Sequence, residues 1–188
     1  MPIKQIGDYN IDKLIAKTEK AKKRLPTLLG NEAKNHFVAG FRIGGKKTDA
    51  SRSGWKERGF SFRRNKGRAV LTQSGDLRRS IQVRRKALNR IIIGTEGIPY
   101  AEIHNEGGSI TITPAMRRFF YAMMMETGKG AKGKTARIDS QIAQEARFWR
   151  GMYRHKGSKI KMPKREFIGK SRVLERKMHV IIRNELFK

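Results

Sequence analysis

Between Tyr100 and Gly108 the chain reads "YAEIHNEGG": two carboxylates, Glu102 and Glu106, bracket His104 and Asn105, and the run stops on paired glycines. Carboxylates around a histidine are what a metal-assisted hydrolase uses, and a histidine beside an asparagine is what a His-Asn nuclease uses. The spacing does not support either. On a helix Glu102 and Glu106 sit one turn apart while His104 projects from another part of the cylinder, so the three are poor co-ligands. A second imidazole would have to come from His155 or His179, far along the chain, and nothing nearby completes a metal site. The chain also has no cysteine, no Gly-rich phosphate loop ending in Lys and Ser or Thr, and no GxSxG elbow. The expectation is no catalytic, metal or cofactor site. The architectural reading uses the same residues. Tyr100 and Ala101 pack a short helix on a hairpin, Gly107 and Gly108 permit a φ > 0 turn into the next strand, and His104 is a satisfied packing or interface histidine.

Periodicity indicates the elements that must hold this stretch. From Asp8 to about Phe41, Ile11, Leu14 and Ile15 share a helical face, and Leu25, Leu28, Leu29 and Phe37 follow beyond Pro26, which predicts a kinked helix or two successive helices. Residues 44–70 show little periodicity and many basic residues, with Trp55, Phe60 and Phe62 as anchors. They read as an extended loop or arm, suited either to stacking bases or to gripping a neighbouring subunit. Ser74 can cap a short helix in which Leu77 and Ile81 share a face. "IQVRRK" and "RIIIG" predict a hairpin. A second short helix, Pro99 to Asn105, leads through the glycines to a third strand, "SITIT".

Thr113 and Pro114 open an amphipathic helix whose Met116, Phe119, Phe120, Met123 and Met124 form a core-type stripe ending near Gly128. "GKGAKGKTAR" then reads as a basic flexible linker and Asp139 to Tyr153 as a helical insertion. "KIKMPKREFIG" is a short strand and a corner. Ser171 caps a last helix whose Leu174, Met178, Ile181, Ile182 and Leu186 can close the domain over the sheet. The predicted fold class is α+β, a small mainly antiparallel sheet flanked by N-terminal, central and C-terminal helices. Its organisation is a helical segment at 1–43, a basic arm at 44–70, and a core at 71–188 with an insertion at about 129–159.

Charge limits the neighbours. Lys and Arg number 44 against 16 Asp and Glu, a net +28 in 188 residues. Self-repulsion of this size disfavours a compact isolated monomer and favours nucleic acid, an acidic protein surface or anionic lipid. A chain this long would bury about 70% of its extended surface, so a real core is possible. The longest apolar run, Phe119 to Met125, is far short of the ~20 residues of a membrane span. No secretory signal is evident in "MPIKQIGDYN" and cysteine is absent, so synthesis in a reducing cytoplasm is expected.

Four segments taken in order carry a resemblance: "GWKERG" at Gly54 to Gly59, "LTQSGDLRRSI" at Leu71 to Ile81, "IIIGTEGIPYAEIHNEGG" at Ile91 to Gly108, and "MPKREFIG" at Met162 to Gly169. In order and spacing they resemble the phage virion morphogenesis, or tail completion, proteins of tailed bacteriophages. The matching positions are Trp55; Ser74, Gly75, Leu77 and Ser80; Tyr100, Ala101, His104, Gly107 and Gly108; and Pro163, Arg165 and Phe167. Lys164 stands where a small residue is more usual, and residues 129–159 look longer than in such proteins.

The resemblance implies a non-catalytic structural protein of the virion, without cofactors, that completes the tail and joins it to the DNA-filled head. At the neck it would form a homohexameric ring around the DNA channel. Its partners would be other copies of itself, a tail terminator, tail tube or head-side connector, and duplex DNA held non-specifically, with no membrane. By composition, the contacts to DNA or partners are assigned to Arg52, Lys56, Arg58, Arg63 and Arg64 on the arm, and to Lys129, Lys132 and Lys134 on the linker. Trimming Lys46 to Lys66 is then expected to weaken assembly more than folding. The competing reading is a basic nucleic-acid-binding protein of ribosomal or nucleoid type, which accounts for the charge but leaves the four ordered segments unexplained.

Overall fold

The computed structural model describes residues 11–45, 54–59, 67–131, 141–155 and 157–187. Phe60, Phe62, Arg52, Arg63, Arg64, Lys132 and Lys134 lie outside the described residues. The first element, α1, runs from Ile11 to Arg42 as one helix with Pro26 inside it, rather than as two. An interior proline costs about 3 kcal/mol, but Ala21, Leu25, Ala33, Phe37 and Phe41 on both sides of it are buried. Packing of both halves keeps the helix continuous.

The short helix α2, Asp76–Arg79, begins one residue later than expected. Its N-cap is Gly75 at φ 80°, ψ 0°, a left-handed conformation that glycine adopts without the Cβ penalty. Ser74 contributes a long hydrogen bond, its Oγ accepting from the Asp76 N–H at 3.4 Å. Strands β1 (Ile81–Ala87) and β2 (Arg90–Thr95) form the expected hairpin. Ile81 pairs with Thr95 and Ala87 with Arg90, with a register shift between Val83 and Arg85.

After α3, Ala101–Glu106, comes β3, Gly108–Thr111. This strand does not extend the hairpin. It pairs antiparallel with β4, Lys159–Met162, so that Gly108 faces Met162 and Thr111 faces Lys159, giving two separate two-stranded sheets. The chain between these strands folds as two helices, α4 (Pro114–Ala131) and α5 (Gln141–Arg154). Around Ile112, Phe120 and Trp149 they build a second apolar cluster, with Met116, Met123, Met124, Met152 and Ile160 packed against it. The methionine stripe is therefore core, and Trp149 of α5 is part of that cluster. Thr113 caps α4 as expected, its Oγ1 accepting from the Met116 N–H at 3.2 Å. The helix continues past Gly128, which places Lys129 in its last turn and not in a linker.

The last helix, α6 (Arg172–Phe187), starts at Ser171, whose Oγ accepts from the Leu174 N–H at 3.3 Å. Along its length it lies on α1 and not over a sheet. Lys177 meets Glu32 at 2.6 Å and Arg24 meets Glu185 at 3.5 Å, so the two helices run antiparallel. The main core gathers Ala33, Phe37 and Phe41 from α1 with Trp55, Leu77, Ile81, Ala101, Phe167 and Leu174. Trp55 is the unexpected member. It comes from the stretch read as an arm, yet its ring lies 5.1 Å from that of Phe41 and its Nε1 donates to the Glu166 carbonyl at 3.0 Å. Residues 54–59 are thus fastened to the chain's own core, and trimming Lys46 to Lys66 would remove a core side chain.

Candidate functional site: the junction of the signature segments

The stretch "YAEIHNEGG" folds as α3 and the turn that leaves it. Gly107 ends the helix at φ 76°, donating to the Ile103 carbonyl at 3.0 Å. A Cβ at Gly107 would lie 2.8 Å from the Lys164 nitrogen. The paired glycines therefore serve two needs, a left-handed turn and the close passage of the corner that follows β4.

That corner is bonded to α3. The Arg165 N–H donates to the His104 carbonyl at 2.8 Å, and the N–H groups of Phe167 and Ile168 both donate to Asn105 Oδ1, at 2.9 and 3.0 Å. Asn105 is the residue that reading the sequence missed. An Asn at the end of a short helix, two residues before Gly107, signals a local turn, whereas its partners here stand 62 and 63 residues further on.

Arg165 extends the junction to a third segment. It is only 7% exposed, and its Nε donates to the Lys56 carbonyl at 2.9 Å and its Nη2 to the Glu57 carbonyl at 3.4 Å. Arg58 in turn donates to the carbonyls of Arg68 and Ala69, at 3.1 and 2.8 Å. Burial, and after it the nearby Arg58 charge, pull Arg165 below its ordinary pKa.

The other named positions are distributed around this junction. Trp55, Leu77, Ala101 and Phe167 are core. Ser80 Oγ donates to the Leu77 carbonyl at 2.9 Å, closing α2. Pro163 is half-buried just after β4, and Lys56 is exposed. A cavity of about 480 Å³ opens where the segments meet, with Arg58, Arg165, His104, Tyr100 and Ser74 on its lining and Val70, Leu71 and Leu77 as apolar wall.

His104 differs from expectation. Its ring stands edge-on to Tyr100 at 5.7 Å, but its Nδ1 is buried with no hydrogen-bond partner among the described residues. The corner's amides are already engaged by the His104 carbonyl and by Asn105, which leaves them nothing to offer the imidazole. Burial first, and the Arg165 charge second, lower its pKa.

The carboxylates of the stretch do not converge. Glu106 Oε1 accepts from Asn105 Nδ2 at 2.6 Å and Oε2 from Lys164 at 3.4 Å. These contacts hold its carboxyl below the ordinary value, Asn105 contributing most. Glu102 is exposed. Among the described residues no group of three His, Cys, Asp or Glu could hold a metal ion, and no helix is long and apolar enough to cross a membrane.

The site is thus a structural junction: four segments distant in sequence, tied by main-chain hydrogen bonds and ring packing around a cationic cavity. The chain belongs to the phage virion morphogenesis family, whose sequence profile matches residues 12–187. No curated protein and no solved structure gives a significant match. Membership assigns the chain a structural or morphogenetic role in a bacteriophage virion.

Proposed function

We propose that this protein completes the phage tail and joins it to the DNA-filled head at the neck, as a ring of identical copies around the DNA channel. The observation that carries the reading is family membership over residues 12–187, together with the convergence of all four signature segments on one junction. The role is structural and not catalytic. Asn105, Glu106 and the backbone of His104 are each engaged in holding the corner.

In such a ring, Lys56, Lys129 and the basic residues at 52, 63, 64, 132 and 134 supply phosphate contacts to duplex DNA without reading bases. Cations on outer faces steer encounter with acidic surfaces of a tail terminator, tail tube or head-side connector. Interrupting the gene in the parent phage and imaging lysates by electron microscopy tests the reading. DNA-filled heads beside unattached tails, rescued by supplying the protein, are expected; complete infectious particles would refute it.

The net charge of +28 favours one other reading, a nucleic-acid-coating protein. Tight, stoichiometric coating of random duplex at moderate salt is its signature, whereas the neck role predicts weak binding there.

A further inference from the structure

We propose that the cavity between Arg58, Arg165 and His104 is a docking socket for an acidic side chain, Asp or Glu, presented on an apolar segment of a partner protein. Among the described residues its lining carries two guanidinium groups and an imidazole but no acidic side chain. Arg165 is placed in advance: it is 7% exposed, and Lys56 and Glu57 hold its Nε and Nη2. Its Nη1 makes no hydrogen bond among the described residues, so donors remain for an incoming oxygen. Guanidinium presents two parallel donors to a carboxylate, and the bond is strongest where water is excluded.

Electrostatics around the empty cavity are unfavourable. Burial first and the Arg58 charge second depress Arg165, and burial first and the Arg165 charge second depress His104, since like charges share a partly buried space. An anion in the cavity would offset the repulsion between these cations. Of the acids nearby, Asp76 pairs with Arg79, Glu106 and Glu166 both meet Lys164, and Glu57 lines a neighbouring pocket and not this one. With 16 acids against 44 cations in the chain, the anion is best supplied from outside.

The wall identifies the carrier. Val70, Leu71 and Leu77, with the Tyr100 ring, give apolar surface that a bare phosphate or a DNA backbone would leave unused. Leu71 is held at φ 63°, a left-handed backbone that leucine rarely adopts, and such outliers gather at ligand sites. The volume of about 480 Å³ lies within the ~300–1,000 Å³ of pockets that take small ligands. It suits a carboxylate side chain with an apolar neighbour.

The test uses the full chain and 4-phenylbutyrate as probe, with 4-phenylbutyramide, inorganic phosphate and a short random duplex as comparisons, followed by NMR of the His104 imidazole. The acid is expected to give a saturable shift and to bind at least ~10-fold more tightly than its amide, a difference of about 1.4 kcal/mol. Arg58→Gln should weaken it by a similar factor while leaving the fold intact by circular dichroism. If that variant unfolds, the comparison of acid with amide on the unaltered protein still decides. Equal binding of acid and amide would overturn the proposal. So would displacement by phosphate or duplex as effective as by the acid, or no saturable shift at ~10 mM acid, tenfold above a millimolar affinity. Because these measurements use purified protein alone, their failure is separate from failure of the neck role.

Discussion

Replacing Asn105 with alanine removes one oxygen that accepts two main-chain N–H groups, from Phe167 at 2.9 Å and Ile168 at 3.0 Å. Both donors sit in a part-buried corner beside the Phe167 ring, which is only 3% exposed. Each donor left unpaired costs about 1–3 kcal/mol if water cannot reach it. Partial exposure puts both near the lower end, for a total of about 2–4 kcal/mol. The Asn105 Nδ2 bond to Glu106 is exposed and adds little. In a domain of this size that loss lowers Tm by about 6–12 °C, at roughly 3 °C per kcal/mol. Denaturant unfolding of wild type, Asn105→Ala and Asn105→Asp reads the result. Aspartate keeps the accepting oxygen in place and exchanges the Glu106 contact for a screened exposed repulsion, so it should recover more than half the loss. An alanine variant within about 0.5 kcal/mol of wild type, below any cost assigned to an orphaned donor, would refute the reasoning. So would an aspartate variant as unstable as the alanine one, since the accepting oxygen would then not be what matters.

Three more outcomes are expected. Gly107→Ala should destabilise by more than Gly97→Ala. Both sites have positive φ, 76° and 67°, but only at Gly107 does an added Cβ meet main chain, at 2.8 Å from Lys164, while no described residue lies within 4 Å at Gly97; equal thermal shifts would count against the close passage. The folded state holds His104 below its ordinary value near 6.5, so the unfolded chain binds its proton first as pH falls. This contribution is present above about pH 6.5 and is lost as pH drops through the lower folded value. His104→Phe should flatten the fall in stability between about pH 7 and 5, and an unchanged slope would exclude His104 as its source. Trp55→Ala should cost about 3–5 kcal/mol, because the ring is 8% exposed against Phe41, whereas Trp55→Phe loses chiefly the bond to Glu166. Unfolding curves for the two variants that coincide would show that the ring is not core.

Local features were legible in the sequence and long-range partners were not. The caps at Thr113 and Ser171 and the turn between β1 and β2 depend on residues within a few positions of one another. Composition therefore announces them. The four-residue alternation of β3 tells which side chains share a face but not which strand lies alongside, and β4 begins at Lys159, 48 positions beyond its partner Thr111. The apolar stripe of α6 was visible, yet a stripe does not name the surface it meets. Here that surface is α1, fixed by Lys177 with Glu32 and Arg24 with Glu185. Pro26 shows tertiary packing overriding a local rule. In the candidate site the glycines were legible as turn residues, but the Lys164 backbone that makes Gly107 necessary was not. The charge environment of His104 was equally hidden, because Arg165 reaches it only through the fold.

The positive charge of this protein acts at two ranges. Pairing every one of its 16 acids with a cation would still leave 28 of its 44 lysines and arginines uncompensated. The surplus does not hold the fold together, since the ion pairs that link separate segments, such as Lys177 with Glu32, already use acids. Exposed cations such as Lys56 interact through water, and at physiological salt their influence fades over ~8 Å. Such cations can attract a polyanion or an acidic surface only at long range, and added salt weakens the attraction. Arg165 is different because it is 7% exposed and fixed by two carbonyls, so it acts only on a group that enters the cavity and is screened far less. Copies this positive repel one another at close approach. The closed ring proposed above would therefore need anions between or within its members, and under that proposal the two ranges divide the work: DNA along the exposed cations, and carboxylates of neighbouring proteins in the cavity.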